Sequence, residues 1–304
     1  MIIERFFKIR KSVNDLLKSK NSEITELTPE QEVILEKNIT WLFGTARSGT
    51  TWLALQLLQY RTKSISEPLL ERHLSVPAGI QDLRFIDNPQ KNPSYFFSEE
   101  YKKTWMFFLR KLILNRIFSE VQSIHKWIII KELITWGGCE ILSECLKNSK
   151  IIILLRDGRD VVDSGVEATS PGGFMTKKLG LNPKSRPAKI IEQSKIWTSA
   201  TKDLLKSYDK KPKDLRYKIK YEDLRKNTLE ELKKIYKFLE IDVPIDKLQK
   251  IVTNFTFENL PPEQKGPGKF ARSATPGKWK DNFNDEEKKV MEEIMGPTLR
   301  MLGY

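Results

Sequence analysis

Thr40-Trp-Leu-Phe43 is followed directly by Gly44-Thr-Ala-Arg-Ser-Gly-Thr-Thr51, and this stretch decides the fold. Its first four residues are apolar or β-branched and predict a short buried strand. Two glycines bound the loop, and Trp52–Tyr60 after it has the composition of a helix. A strand, a glycine-bounded loop and a helix in this order present backbone N–H groups to an anion, so the stretch predicts a phosphate site.

The loop is one residue away from the Walker A motif, because Thr50 stands where that motif has its lysine. In ATP and GTP enzymes the lysine reaches the β and γ phosphates, so its replacement removes the main cationic contact to a triphosphate. Arg47 brings a planar cation instead. The loop therefore predicts a nucleotide with a different leaving group, although glycine-rich turns also arise without any ligand.

A second anion-binding element follows the apolar run Ile151–Leu155. Arg156 leaves the end of this predicted strand, and Ser164 lies eight residues later, two turns into a predicted helix. A guanidinium and a hydroxyl in that arrangement can hold a second phosphate. The alternative is a surface ion-pair cluster in which the charged residues at 157–160 satisfy one another.

Further runs complete an alternation of strands and helices. The remaining predicted strands are Trp127–Ile130, ending at Lys131, and Leu215–Lys220; the predicted helices lie within 95–125, at Leu229–Leu239 and at Asp285–Met295, the last capped by Asn284 or Asp285. This alternation predicts one α/β domain with a central parallel β-sheet flanked by helices. Functional groups then belong at the carboxyl ends of the strands, where Gly44–Thr51, Lys131 and Arg156 fall.

Composition narrows the class of protein. The 304 residues carry a net charge of +13, which favours phosphorylated or polyanionic partners, or else reflects a lysine-rich solvated surface. No apolar run approaches the ~20 residues of a membrane span, and no secretion signal is apparent. Two cysteines and two histidines offer little for a disulfide framework or a metal site, so a reducing, cytoplasmic location is expected.

Residues 1–31 are predicted to form a separate N-terminal part. Over 1–20 apolar residues recur at helical spacing with basic residues on the other faces, and 21–31 is a polar linker. An amphipathic helix of this kind packs on its own domain or on a second copy, as in a homodimer, or makes a weak contact with a membrane surface.

Four motifs in chain order make the sequence similar to sulfotransferases that use 3′-phosphoadenosine 5′-phosphosulfate (PAPS). Arg47-Ser-Gly-Thr-Thr-Trp52 resembles their 5′-phosphosulfate loop, and Arg156-Asp-Gly-Arg-Asp-Val-Val-Asp-Ser164 resembles their 3′-phosphate loop. Tyr221-Glu-Asp-Leu224 and Phe270–Phe283 match later motifs of the family. The resemblance implies a P-loop NTPase-like fold in a sulfotransferase domain at 32–304, with a helical insertion at 71–126 that builds the acceptor site. It is closer to the carbohydrate and bacterial branches than to the small-phenol cytosolic branch.

The resemblance implies a role for each matching residue. The 5′-phosphosulfate would be bound by Arg47, Ser48, Gly49, Thr50 and Thr51, and the 3′-phosphate by Arg156, Ser164 and Arg272. Trp52 would stack on the adenine, although a helix residue there can also face the core. Thr256 and Phe257 fall where the family closes over the adenine. Ser273-Ala274 replaces the Lys-Gly of the small-molecule members, which weakens the expected grip on the 3′-phosphate.

Transfer needs a general base for the proton of the acceptor. Small-phenol and steroid members have a histidine two residues after the lysine of the second motif strand, where this chain has Leu133. Carbohydrate and protein-tyrosine members use a glutamate soon after the first helix, and Glu67 occupies that place. Glu67 is therefore the predicted base, unless it caps a turn or forms a salt bridge beside Pro68. The alternative bases are Glu71, His73 and Glu132.

The resemblance thus implies sulfuryl transfer from PAPS to a hydroxyl, or less readily to an amine, leaving the product 3′-phosphoadenosine 5′-phosphate (PAP). Arg47 and Lys131 would stabilise charge on the bridging oxygen, and no metal is required. Arg47 and Glu67 favour a carbohydrate or another hydroxylated biomolecule as acceptor. One alternative is a nucleoside or sugar kinase with a degenerate P-loop. Another is a non-catalytic protein that binds a polyanion or a membrane surface; no nucleic acid partner is expected.

Overall fold

A computed structural model describes residues 26–68, 70, 74, 91, 95–134, 138–179, 184–269 and 271–304. The predicted N-terminal helix at 1–20 lies outside the described residues. So do the candidate bases Glu71 and His73, and much of the predicted insertion at 71–126.

The centre of the molecule is a five-stranded sheet in which every neighbouring pair is parallel. Its strands are β1 (Ile39–Gly44), β2 (Thr62–Ser66), β3 (Trp127–Leu133), β4 (Lys150–Leu155) and β5 (Arg216–Lys220). They are arranged in the order β2-β3-β1-β4-β5. In the register, Leu42 of β1 lies beside Lys131 of β3 and Ile152 of β4. The predicted α/β class with a central parallel sheet is confirmed.

Helices connect the strands and cover the sheet. They are α1 (Pro29–Lys37), α2 (Thr50–Leu57), α3 (Lys102–Val121), α4 (Cys139–Cys145), α5 (Gly158–Ala168), α6 (Phe174–Leu179), α7 (Arg186–Lys210), α8 (Tyr221–Lys226), α9 (Thr228–Phe238), α10 (Ile245–Asn254), α11 (Trp279–Asn282) and α12 (Asp285–Met301). None of the described helices combines the length and apolar character that crossing a membrane requires.

The sheet is buried on both faces, as continuous apolar strands require. Trp41 and Phe43 of β1 pack in one core with α3 and α7. Leu42, which points to the other face, packs in a second core with α2 and α9. The alternation of side chains along each strand therefore decides on which side of the sheet a functional residue emerges.

Several element boundaries differ from the sequence predictions. β3 does not end at Lys131 but runs to Leu133, because the Lys131 side chain finds polar partners within the fold. α12 continues past the predicted Met295 to Met301 despite Pro297, and its cap is Asn284, whose side chain accepts from the Glu287 N–H. The predicted linker at 21–31 ends by Thr28, where a capping box starts α1.

Candidate functional site

The carboxyl edge of the sheet gathers most of the described residues that the motifs single out. The phosphate loop follows β1, Glu67 follows β2, Arg156 follows β4 and Tyr221 follows β5. Lys131 lies near the end of β3. Parallel strands all end at this edge, so residues from distant parts of the chain meet there.

The phosphate loop ends in a left-handed residue, Gly49, with φ of 98°. A Cβ at this position would lie 2.7 Å from Cδ2 of Tyr221, so both the backbone angle and the space require glycine. Gly49 is the N-cap of α2, and the N–H groups that follow in the first turn at Thr50 and Thr51 have no partner within the helix. They are the backbone donors that the sequence predicts for an anion.

Ser48 has a different position from that of a ligand-facing residue. It is buried, and both its N–H and its hydroxyl donate to the Thr45 carbonyl, at 3.1 and 2.7 Å. Its side chain therefore shapes the loop, while its predicted contact with a phosphosulfate stays a prediction.

Gly49→Ala should lower the free energy of unfolding by about 2–5 kcal/mol, combining left-handed strain of ~1–2 kcal/mol with overpacking of ~1–3 kcal/mol. Gly172→Ala is the matched control, because Gly172 has φ of 79° but no atom within 4 Å of an added Cβ. The free energy of unfolding of this control should therefore fall only by the part that left-handed strain causes. Urea unfolding of the two variants measures the difference, and equal losses would show that Tyr221 does not enforce the glycine.

Two arginines and a serine meet where the motifs predict the second phosphate. The Arg47 Nε–H donates to the Ser164 hydroxyl at 2.9 Å, and the Arg156 Nη1–H donates to the Arg47 carbonyl at 2.8 Å. Ser164 lies in the second turn of α5, as predicted. Arg47, which belongs to the loop after β1, therefore also contacts the helix after β4 and joins the two predicted phosphate elements.

The alternative of a self-satisfied ion-pair cluster explains only part of this region. Asp157 does form a two-point ion pair with Arg159, at 2.9 and 2.8 Å. Asp160, by contrast, accepts from the backbone N–H groups of Gly277 and Trp279, at 2.7 and 3.3 Å. Arg156 joins neither set; its guanidinium lies 4.5 Å from the ring centroid of Tyr221.

The positive charges of this cluster suit an anionic group. Burial, together with the charges of Arg156 and Arg272, lowers the pKa of Arg47 to about 10, an effect that Glu167 only partly opposes. Buried Arg156 Nε finds no hydrogen-bond partner among the described residues. A phosphate would accept from that donor and remove the mutual repulsion of the arginines, so the residues fit the anionic nucleotide that the motifs imply.

Trp52 lies beside the phosphate loop rather than wholly within the core. Its indole N–H donates to the Phe255 carbonyl at 2.6 Å, and its ring meets that of Tyr221 edge to face at 5.9 Å between centroids. The side chain remains partly exposed, and the Arg225 guanidinium lies 5.5 Å from its ring centroid. This leaves ring surface available for stacking, although the stacking role itself stays a prediction.

Thr256 and Phe257 follow the carbonyl that Trp52 contacts. The Thr256 hydroxyl bridges a local turn, accepting from the Asn259 N–H and donating to the Thr253 carbonyl. The Phe257 ring lies 5.5 Å from Lys265 Nζ. The structure thus brings this segment to Trp52 through the backbone of Phe255, a residue that the motif comparison did not identify.

Arg272 reaches the cluster from the C-terminal segment. It forms an ion pair with Asp163 of α5, and Asn282 Nδ2 donates to both oxygens of the same carboxylate at 3.1 Å. Asp163, whose motif position is directly before Ser164, has no predicted role from the sequence. Spacing could have indicated it only together with knowledge of how the C-terminal segment folds back.

Glu67 and Lys131 form an ion pair at the opposite end of the phosphate loop. Lys131 is fully buried and also donates to the Thr51 hydroxyl at 3.2 Å. The Glu67 N–H donates to the Lys131 carbonyl at 2.7 Å, which holds the residue at a left-handed φ of 51°. One ammonium therefore connects the start of α2 with the predicted base, and the salt-bridge alternative for Glu67 is realised with the predicted catalytic lysine as its partner.

Glu132, the alternative base among the described residues, is less well placed. It follows Lys131 on the same strand, so its side chain points to the other face of the sheet. It is also almost completely buried. Geometry therefore favours Glu67 over Glu132.

Comparison with known proteins agrees with this architecture. A search by sequence finds no curated protein that matches the chain significantly. Among solved structures, a mouse sulfotransferase, SULT7A1, in complex with PAP, superposes with a TM-score of 0.57 at 16% identity, covering 90% of each chain. A retinol dehydratase solved with androsterone and PAP gives 0.53 at 16% identity, covering 91% of this chain and 96% of that one. Sulfotransferase STF9 from Mycobacterium avium gives 0.53 at 10% identity, covering 99% and 82%.

These structural similarities establish a shared fold, and the sequence itself establishes the family. The family model described as a sulfotransferase domain matches residues 37–303, which is most of the chain. The family, the fold class and the enzyme class that the motifs predict are thereby confirmed. The chain belongs to the sulfotransferase family.

Proposed function

We propose that the protein transfers the sulfuryl group of PAPS to a hydroxyl of an acceptor, with Glu67 as general base. The observation that carries the proposal is the line of charges along the carboxyl edge. Arg156 follows β4 on one side of the phosphate loop and donates to Arg47 within it, while Lys131 of β3 and Glu67 after β2 lie on the other side. The loop that would hold the transferred group thus lies between a cluster of arginines that suits an anion and a pair of groups that suits acid–base chemistry.

The two phosphate elements would hold the nucleotide. The N–H groups at the start of α2 and the Arg47 guanidinium would bind the 5′ side, while Arg156, Ser164 and Arg272 would bind the 3′-phosphate. Bound PAPS would supply the activated sulfuryl group. PAP in the structures of SULT7A1 and of the retinol dehydratase supports this assignment for a chain that shares their fold.

The chain's own residues account for the proton and the developing charge. Glu67 retains 35% exposure, so an acceptor hydroxyl can reach its carboxylate and give up its proton there. The Lys131 ammonium lies beside Thr51 and would stabilise negative charge near the start of α2. The pairing with Lys131 also fixes the carboxylate in place before an acceptor arrives.

A hydroxylated biomolecule such as a carbohydrate is the proposed acceptor class. The position of Glu67, together with Leu133 in place of a histidine, supports this assignment over a small phenol. A retinol dehydratase in complex with androsterone and PAP supports a hydroxyl as the attacking group in this fold. The acceptor segment at 71–126, the N-terminal part and the cytoplasmic location stay predictions.

Thermal unfolding in the presence of nucleotides tests the proposal. The ligands are PAP, adenosine 5′-phosphosulfate, ADP and ATP, each measured once with Mg²⁺ and once with EDTA in its place. PAP at 100 times its dissociation constant should add about 2.7 kcal/mol of stability without metal. Arg156→Ala should abolish that shift. Arg216→Ala should keep it, because Arg216 lies at the amino edge of β5 and stacks on Tyr208.

The same measurement separates the proposal from its rivals. A shift with ATP and Mg²⁺ but none with PAP would replace the sulfotransferase assignment of this site by a kinase assignment. Salt-sensitive binding of polyanions without any nucleotide shift would favour a non-catalytic binding protein.

A further inference from the structure

One face of α5 holds the C-terminal segment through three carboxylates, Asp160, Asp163 and Glu167, which lie about one turn apart. Glu167 accepts from the Gly268 N–H at 2.8 Å. Asp160 accepts from the Gly277 and Trp279 N–H groups. These two carboxylates bind backbone and anchor the path of the segment.

Asp163 makes contacts of a different kind, because its partners are side chains. Its carboxylate pairs with the Arg272 guanidinium and accepts from Asn282 Nδ2 at both oxygens. The side chain is only 6% exposed, and these two partners fix its orientation. The long and otherwise mobile Arg272 side chain is therefore held in one place before any ligand binds.

The place in which Arg272 is held adjoins the arginine cluster. Ser164, the next residue of α5, accepts from Arg47 at 2.9 Å. Burial and the charges of Arg156 and Arg272 lower the pKa of Arg47, as expected where the Arg272 guanidinium lies near enough to repel that of Arg47. Consecutive residues of one helix thus contact two arginines of the proposed nucleotide site.

The two positions directly after Arg272 add no cation, because Ser273 and Ala274 are uncharged. An anion contact at these positions then depends on the orientation of the Arg272 guanidinium. A planar guanidinium binds a phosphate strongly only when its N–H groups face the phosphate oxygens.

We propose that Asp163 is a positioning residue that orients Arg272 toward the 3′-phosphate of the nucleotide, so that it sets the preference of the site for nucleotides with that phosphate. The inference rests on the proposed function, because it assumes that Arg156, Ser164 and Arg272 bind a 3′-phosphate.

Isothermal titration with PAP and with adenosine 5′-monophosphate (AMP), which lacks the 3′-phosphate, tests the inference. Asp163→Ala should raise the Kd of PAP about tenfold and leave the Kd of AMP within about twofold. Asp160→Ala is the matched control, since it removes a buried carboxylate of the same helix face whose hydrogen bonds go to the Gly277 and Trp279 N–H groups and not to Arg272. It should change the two Kd values by the same factor.

A double-mutant cycle with Arg272→Ala isolates the coupling. Asp163→Ala should add no further loss of PAP affinity to Arg272→Ala, because the residue acts through Arg272. If Asp163→Ala does not fold, Asp163→Asn, which keeps one acceptor oxygen and the shape, should show a smaller loss that is again confined to PAP.

Three results would overturn the inference: an equal loss for PAP and AMP, additive losses in the cycle, or tighter PAP binding by Asp163→Ala, which would make the carboxylate a competitor of the phosphate. The wild-type protein separates this failure from that of the proposed function. If wild-type protein binds PAP no better than AMP, the 3′-phosphate site itself is wrong, and the inference falls with it.

Discussion

Glu67→Gln should lower kcat by about 10²–10⁴-fold, the contribution typical of a positioned general base, with little change in the affinity for PAP. The amide keeps the size of the side chain and can still accept from Lys131 through its oxygen, but it cannot take a proton from an acceptor. The backbone contact to the Lys131 carbonyl, which holds Glu67 at φ of 51°, does not involve the side chain and should persist. Single-turnover transfer of radiolabelled sulfuryl groups, once an acceptor has been found by screening, measures the loss.

The chain offers a matched control for this substitution. Glu240 also has a left-handed backbone, with φ of 60°, and also pairs with a buried strand lysine, Lys150, at 2.6 Å. Lys150 begins β4, so this pair lies at the amino edge of the sheet, away from the phosphate loop. Glu240→Gln should therefore leave kcat unchanged. A kcat for Glu67→Gln within about threefold of wild type would make Glu67 merely the counter-ion of Lys131.

The part of the site that could be predicted from sequence is the part that is local in the chain. Thr40–Thr51 contains a strand, its loop and the start of a helix within twelve residues, so pattern and glycine placement are enough to predict it. The spacing of Arg156 and Ser164 predicted their positions at a strand end and in the second turn of a helix for the same reason, because both lie on one strand–helix connection. The buried strands were recognisable because sheets covered on both faces use continuous apolar runs.

The contacts that assemble the site could not be predicted in this way. Arg47 and Ser164 are 117 residues apart, and Asp163 and Arg272 are 109 apart. Such pairs depend on how the strands are ordered and on how the C-terminal segment folds back, which local periodicity does not encode. Lys131 shows the same limit: a charged residue normally ends a buried strand, but here Thr51 and Glu67 satisfy it and the strand continues.

Lys131→Met should lower kcat by about 10²–10³-fold, the loss expected when one donor to a developing negative charge is removed. Methionine keeps the length and apolar stem of lysine, but removing one partner of a buried ion pair destabilises a fold by up to about 3–5 kcal/mol. Glu67 is 35% exposed, so water can solvate its carboxylate and the loss of stability should be smaller than that of a fully buried pair. The loss of kcat should therefore persist in protein that is still folded, because the ammonium that contacts Thr51 and Glu67 is then missing from the site. Lys131→Met should also raise the KM for the acceptor, since Glu67 loses the partner that fixes its orientation.

Lys150→Met separates a catalytic lysine from a buried lysine as such. Both side chains are buried in the sheet and paired with a glutamate, and Lys150 also donates to the Phe238 carbonyl at 2.8 Å. Of the two lysines, only Lys131 lies at the carboxyl edge, beside the phosphate loop. Lys150→Met should therefore lower the free energy of unfolding, while kcat stays within about twofold of wild type. Equal losses of kcat in the two variants, measured in parallel with urea unfolding, would show that burial and folding account for the effect. A selective loss in Lys131→Met places the charge where the transfer occurs, because sheet position is the feature that most clearly separates the two lysines.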